Sequence, residues 1–302
     1  MVVSVSAQER LAWLESRRRG IGSSDVAAII GLSPWKDALG VYLSKIRPAE
    51  HDTMTPQQQW GIRLESCIAG AVIDEYGWTL AKVPSIIHRE HRFLLASPDR
   101  MRTDGANEVV EFKTSRSSEG WGEPETDEIP LYYQVQVQHQ MEVCHATYEA
   151  ETAWVFVLIG GSDFRRYRIP YDSEFLPTVL PALEEFWHRV ETRTPPEPDW
   201  SHPTTLENLQ SLYKPVIGKS VALDAEMVQY ATEYVQLGAE ASAVNARRDE
   251  AKARLIAAMG DAELAALPDG RAITRRKVER KGFTVEPTSY FNFSIKEPKH
   301  GK

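Results

Sequence analysis

Cysteine and long apolar runs are what this sequence has least of. Cys67 and Cys144 are the only two cysteines in 302 residues. They lie far apart and form no CxxC pair, which suits a reducing compartment and argues against an iron–sulfur cluster, usually held by four cysteines. No apolar stretch approaches the roughly 20 residues needed to cross a bilayer, so a soluble protein with no membrane partner is expected. The first ten residues lack the basic-then-apolar order of a secretory signal, and the expected location is the cytoplasm. Positive charge is also in deficit, with 35 Lys and Arg against 43 Asp and Glu for a net charge of −8. That balance disfavours a protein that passively coats nucleic acid, because phosphate binding depends on neutralisation by Lys and Arg. It disfavours an enzyme that grips DNA at one place less. Basic residues cluster at Arg17-Arg18-Arg19, at Arg165-Arg166-Arg168 and along Arg271 to Lys281, and a magnesium-binding site adds acid of its own.

At this length, a core plus a satellite is expected. Residues 7–18 read as a helix ending in the arginine run. The GIGSSD turn then offers Ser23 or Ser24 as an N-cap for the apolar run that follows. A further helix is expected from about Asp37 to Lys45. Over residues 56–76, Trp60, Leu64, Ile68 and Val72 recur every fourth position, which predicts a helix with one buried stripe and Glu65 beside it. From Trp78 to Lys113 short apolar runs alternate with turn residues, and Asp104-Gly105-Ala106-Asn107 signals an antiparallel hairpin. A helix over Pro130–Cys144, two strands joined near Gly160-Gly161, and a helix over 173–193 complete the first part. The Pro-rich TRTPPEPDW marks a boundary, giving a core of 1–198 and an appendage of 199–302. In the appendage a heptad-like stripe from Leu223 to Ala258 predicts a long helix, lying on its own protein or pairing with another chain. A hairpin through Pro268-Asp269-Gly270 and a basic strand follow. No internal repeat or low-complexity tract is present.

The predicted hairpin carries the chemistry. With the turn centred at Gly105, Asp99 and Glu111 are equidistant from it and fall opposite one another on paired strands, where they share a face. Lys113, two residues beyond Glu111, shares that face too. Opposed carboxylates repel unless a cation lies between them, and hard oxygen donors favour Mg²⁺ or Mn²⁺ over Zn²⁺. A metal placed there could activate water, with Lys113 orienting it or stabilising a pentavalent phosphate. An E-x-K triplet by itself is far more often a solvated, charge-alternating strand face, and the register with Asp99 is what points toward metal. His139 and His145 have no partner at zinc spacing, and Trp35 is expected to pack in the core, although base stacking by it is conceivable.

Five ordered blocks, WLESRRRGIGSSDVAAIIG, WGIRLE, LLASPDR, VVEFKTS and YYQVQVQHQM, resemble the motifs of the phage exonuclease family typified by lambda exonuclease, the YqaJ-like viral recombinases. That family lies within the PD-(D/E)xK nuclease superfamily. The resemblance covers roughly residues 10 to 170. It implies an α/β restriction-endonuclease-like core, a twisted mixed sheet flanked by helices, followed here by the long helix and β-hairpin appendage. It further implies that Asp99, Glu111 and the Phe112 carbonyl are metal ligands, that Glu65 completes the metal site directly or through water, and that Lys113 is catalytic. Arg17 and Ser24 match the family's clamp for a terminal 5′-phosphate, and Gln136 its glutamine near phosphate and metal. Gln138 should face elsewhere, while Gln140, four residues after Gln136, can share its side. Arg100 stands where the family commonly has glycine, and could crowd the hairpin or reach a phosphate.

The implied activity is Mg²⁺-dependent 5′ to 3′ degradation of one strand of double-stranded DNA from a 5′-phosphorylated end, releasing mononucleotides and leaving a 3′ overhang, with Mn²⁺ as a substitute and two ions in the site. A homotrimeric ring, a single-strand annealing protein as partner, and a phage or prophage recombination role in a bacterial host are implied on the same terms. The alternatives are another PD-(D/E)xK endonuclease and a non-catalytic DNA-end-binding or annealing module.

Overall fold

The computed structural model describes residues 14–48, 55–105, 107–277, 279 and 293–295. The chain forms two compact units, Met1–Lys214 and Pro215–Lys302.

In the first unit the strands β2 (Leu80–Ala81), β5 (Arg100–Arg102), β6 (Glu108–Ser115), β7 (Thr152–Ile159) and β8 (Asp163–Pro170) form a five-stranded mixed sheet in the order β2-β5-β6-β7-β8. Only β6 and β7 pair in parallel. Parallel neighbours need a crossover, which is supplied by α4 (Leu131–Tyr148). A second, three-stranded sheet joins β1 (Ile21–Gly22), β4 (Leu94–Ala96) and β3 (Ile86–Ile87). Here β1 runs parallel to β4, which places the end of the arginine run beside the strand leading to Asp99.

Strand alternation divides the main sheet into two buried faces. Val109, Ala153, Val155 and Val157 face one core with α1 (Ser23–Ile29), α2 (Ala38–Ile46), α4 and α5 (Phe175–Thr192). Val110, Phe112, Trp154 and Phe156 face the other, under α3 (Pro56–Tyr76) and Trp78. Burial on both faces explains why TAWVFVLI is a continuous apolar run.

The expected helix over 56–76 is present, opened by Pro56 behind a Thr55 cap and closed by Gly77 at φ +68°. Its stripe is not buried throughout. Ile68 and Val72 are, but Trp60 is 57% exposed, because only the C-terminal half of α3 lies over the sheet. The N-cap of α1 is Gly22 rather than Ser23 or Ser24, and Asp25 reaches back to accept from the Gly22 N–H at 3.1 Å. Of the helix expected over 7–18, residues 14–17 are helical and 7–13 lie outside the described residues.

The compact unit continues past the Pro-rich linker expected to end it at 198. Helix α6 (Thr205–Leu212) docks on α2 through Asp37, which caps α2 by accepting from the Gly40 N–H at 2.8 Å and also accepts from Asn208 Nδ2 at 2.7 Å. The Thr205 hydroxyl lies 3.0 Å from the other Asp37 oxygen, and Arg47 holds Ser211 from the far end of α2.

The second unit holds α7 (Glu226–Met259) and the antiparallel hairpin of β9 (Leu264–Ala266) and β10 (Ala272–Thr274) around Asp269-Gly270. The long helix and hairpin expected from the sequence are therefore present. The heptad positions Tyr230, Tyr234, Leu237, Val244 and Leu255 are exposed. The far end of the expected basic strand, residues 278, 280 and 281, lies outside the described residues. Among the described residues no helix is long and apolar enough to cross a membrane.

Because Asp37 is buried and serves two helices at once, Asp37→Ala removes a cap and strands two donors. The expected loss is about 2–5 kcal/mol, read as a lowered urea midpoint for the first unit. A shift worth less than about 0.5 kcal/mol, the size usual for surface changes, would show that α6 is not held through this residue.

Candidate active site

The β5–β6 ladder pairs Arg100 with Val110, Met101 with Val109 and Arg102 with Glu108. Continued by one step, this register sets Asp99 across from Glu111, as the symmetric turn about Gly105 predicts. Asp99 lies just before β5, and its Oδ2 accepts from the Phe112 N–H at 2.7 Å in place of a ladder partner. In a strand the N–H and C=O of one residue point to the same side, so the Phe112 carbonyl faces that edge as well.

Glu111 and Lys113 project from β6 toward α4. Glu111 is 4% exposed. Its Oε1 accepts from Lys113 Nζ at 2.5 Å and from Gln136 Nε2 at 2.6 Å, and its Oε2 accepts from Gln140 Nε2 at 2.8 Å. Lys113 Nζ also donates to Gln136 Oε1 at 3.2 Å and sits 4.6 Å from the Tyr133 ring centre. Gln136 and Gln140 share a helix face by their spacing of four. Gln138 turns away, donating to the Pro170 carbonyl and accepting from the Asp172 N–H.

Burial, then the neighbouring Glu111 charge, raises the Asp99 pKa to about 8. Burial pulls the Lys113 ammonium down, but Glu111 and Asp99 outweigh it and its pKa ends above the ordinary lysine value. The centre is rich in acceptors and poor in donors. Two carboxylates share one ammonium, and the buried Gln140 Oε1 has no hydrogen-bond partner. An oxygen-lined, under-compensated centre of this kind suits a small hard cation.

Glu65 lies within electrostatic reach of this centre, its charge adding to the rise in the Asp99 pKa. Its Oε1 accepts from Arg100 Nη1 at 2.5 Å, with Lys82 Nζ at 3.9 Å. Among the described residues no group of three or more His, Cys, Asp or Glu side chains is placed to hold a metal. Arg100 neither crowds the hairpin nor extends toward the cavity. It is buried, bonded to Glu65 and to the Asp99 carbonyl, with its guanidinium 5.9 Å from the Phe112 ring centre.

The structure separates the three consecutive arginines. Arg17 Nη2 donates to Ser24 Oγ at 2.7 Å and to Asp25 Oδ1 at 3.3 Å. Arg18 turns to Glu15 and the Lys45 carbonyl, and Arg19 lines the cavity. Asp25 also accepts from Lys45 Nζ at 2.7 Å. Burial alone would raise the Asp25 pKa, but the Arg17 and Lys45 charges hold it well below the carboxylate range. A cavity of about 340 Å³ runs from Arg17, Ser23 and Ser24 to Asp99, Glu111 and Gln136, with Arg92 on its wall. The terminal-phosphate residues and the carboxylates expected from the sequence thus line one space, with Lys113 behind Glu111.

Sequence reasoning missed Asp25, Lys45 and Arg92. Asp25 sits within the quoted GSSD, where its N3 position was a legible capping signal. Lys45, 20 positions further on, gave none. His139, set aside for want of a zinc partner, is fully buried with Nδ1 2.9 Å from Ser23 Oγ, and burial lowers its pKa to about 3.

The mixed sheet flanked by helices, with Asp99 before one strand and Glu111-Phe112-Lys113 on the next, is an α/β arrangement that carries the PD-(D/E)xK residue pattern. Residues 12–149 match the model of the YqaJ-like viral recombinase domain. The chain is similar to the uncharacterized protein YqaJ of Bacillus subtilis (strain 168), at 35% identity over 185 residues. The match covers 61% of this chain and 57% of that relative, so the chain spans less than two thirds of its length. Among solved structures it resembles the alkaline exonuclease LHK-Exo of Laribacter hongkongensis, with 16% identity and a TM-score of 0.47 over 61% of this chain and 93% of that one. It also resembles a phage-related exonuclease from Haemophilus somnus 129PT, with 13% identity and a TM-score of 0.43 over 58% and 96%.

Asp25 supplies a pH test. Its depressed folded pKa contributes stability that is present above the unfolded value of roughly 4 and is lost as pH falls through the folded value. Asp25→Asn should cost about 3–5 kcal/mol near pH 7, since it leaves Lys45 buried without its partner. The gap from wild type should narrow steadily below about pH 4. Urea unfolding across pH 3 to 7 measures it, and a gap independent of pH would remove the charge as its source.

Proposed function

We propose that this protein is a divalent-metal-dependent DNA nuclease that degrades one strand of a duplex from a phosphorylated 5′ end. The observation that carries this reading is the single cavity in which Arg17 and Ser24 face the same space as Asp99, Glu111 and Gln136. The family of residues 12–149 supports nuclease chemistry, and the cavity supports recognition of an end.

The donor set fits Mg²⁺ or Mn²⁺. The Asp99 and Glu111 carboxylates and the Phe112 carbonyl would hold it, and magnesium sites commonly take one or two carboxylates and complete their shell with water and substrate phosphate. Two ions are proposed, the second sharing the phosphate. Bound metal would supply an acidified water and offset charge on the leaving oxygen. Lys113 keeps its proton at Nζ beside Glu111 and presents a fixed positive charge to the scissile phosphate. Gln136 links Lys113 to Glu111 and fixes both. Arg17 grips the terminal phosphate in the fork geometry of a guanidinium, with the Ser24 hydroxyl beside it. Glu65 is assigned to holding Arg100 rather than metal. The 5′ to 3′ polarity, release of mononucleotides, 3′ overhang, ring-shaped trimer, annealing partner and cytoplasmic phage or prophage recombination role complete the proposal and rest on the family resemblance.

Mg²⁺-dependent nucleotide release from linear 5′-phosphorylated duplex should fall by about 10²–10³ in Lys113→Ala, the usual effect of deleting one charge-stabilising donor. Arg17→Ala should slow 5′-phosphorylated ends far more than 5′-hydroxyl ends, and closed circles should resist. Equal release by wild type and Lys113→Ala, or circles cut as readily as linear DNA, would overturn the reading.

The assignment of Glu65 has its own check. Asp99→Asn should raise the Mg²⁺ concentration needed for half-maximal activity by tenfold or more, a scale typical of metal-site lesions. Glu65→Gln should leave it near wild type while lowering thermal stability. A Mg²⁺ requirement shifted equally by both would return Glu65 to the metal.

A further inference from the structure

We infer that Trp35 is a stacking platform for a nucleobase of the strand being degraded, an inference that rests on the nuclease reading above. The indole is 59% exposed, contrary to the core role its sequence context suggests. Isolated exposed aromatics are common, so exposure alone says little. What sets Trp35 apart is how firmly it is held and where it leads.

Its backbone N–H donates to Ser33 Oγ at 3.3 Å, and the Leu32 and Ser33 N–H groups both return to the Ala27 carbonyl. His202 Nε2 lies 3.2 Å from the Ser33 carbonyl. The ring meets Tyr132 edge-on at 4.5 Å between centroids, Tyr132 meets Tyr133 at 4.5 Å, and Tyr133 carries the Lys113 ammonium 4.6 Å from its centre. An aromatic ladder therefore starts in solvent and ends at the catalytic lysine. Trp35 to Tyr133, 6.1 Å, and Tyr133 to Lys113, laid end to end, span roughly three stacked base steps. The neighbouring Lys36 acts electrostatically on Asp25, so the ledge that reaches Lys113 through the tyrosines also borders the Arg17–Asp25 cluster. A rigid ring at that point loses little conformational entropy on binding. Stacking is also indifferent to base identity, which a nuclease that must pass through any sequence requires.

The test uses the full chain with 5′-phosphorylated duplexes whose terminal nucleotides are intact or abasic. Wild type should release nucleotides about tenfold more slowly from abasic ends, within the range of one base–aromatic stack. Trp35→Ala should be slowed by a similar factor on intact ends and be indifferent to the abasic lesion, with Trp35→Phe restoring most of the rate. If Trp35→Ala slows both ends equally, or neither, the platform is wrong and the tryptophan is a packing group or a contact for another protein. Binding of a 5′-phosphorylated strand carrying terminal 2-aminopurine, followed by fluorescence quenching, separates this from the nuclease reading. Quenching lost in Trp35→Ala supports the platform even if wild type releases no nucleotide, and quenching retained refutes it.

Discussion

A carboxylate at 4% exposure in the middle of the sheet is the constraint around which the first unit is built. Removing Glu111 from water costs several kcal/mol unless its lone pairs are met and its charge is opposed. No apolar neighbour can do either. Lys113 opposes the charge from the same strand face, and Gln136 and Gln140 meet the lone pairs from α4. That requirement explains a helix that would otherwise read poorly. A helix crossing between two buried parallel strands should be apolar on its inner side, yet α4 buries Gln138, His139 and Gln140 together with Val135, Val137 and Met141.

The same helix serves a second buried polar centre. Residues 136, 139 and 140 lie on one face. While the glutamines meet Glu111, His139 meets Ser23 at the head of α1. On the other side of α1, Asp25 joins Arg17, Lys45 and the Gly22 N–H. The carboxylate centre and the arginine clamp are thus braced by one rigid rod, and the distance between them is set by the pitch of a helix rather than by a loop. For the proposed site, which would hold an end and the adjacent bond at once, a fixed spacing would be a functional property.

How much of this was legible follows from which relations are local. The symmetry of residues about Gly105 gave the register of Asp99 against Glu111, because a tight hairpin leaves few registers. The i,i+4 rule brought Gln140 beside Gln136 and sent Gln138 away. Periodicity marked the face of α3 but could not say where the sheet beneath it stops, so Trp60 was misplaced. The proline cluster at 195–198 marked a break in regular structure, which is not a break in packing, and α6 returns to Asp37 beyond it. Lys45 with Asp25, and Arg100 with Glu65, are pairs made by tertiary folding. Arg100 with Glu65 is the more instructive, because motif order pointed to Glu65 as a metal-site carboxylate but gave no sign that Arg100 would bond to it.

Net acidity and the proposed DNA substrate are reconciled by where the cavity-lining arginines sit. The second basic cluster is occupied within the fold. Arg165 pairs with Asp163, and Arg166 pairs with Glu125 and lies 4.2 Å from the Tyr76 ring centre. Arg168 donates to Thr152. Arg165 and Arg166 oppose local acids, so they add little field for a phosphate. Arg17, Arg19 and Arg92 instead line the cavity whose floor is Asp99 and Glu111. In a chain of net charge −8, three arginines on one cavity wall would draw a phosphate to that wall under the proposed reading. Such focusing favours the engagement of ends over coating along the duplex. On the proposed reading, charge distribution and cavity geometry favour the same mode of action, and the acidic composition is compatible with end recognition.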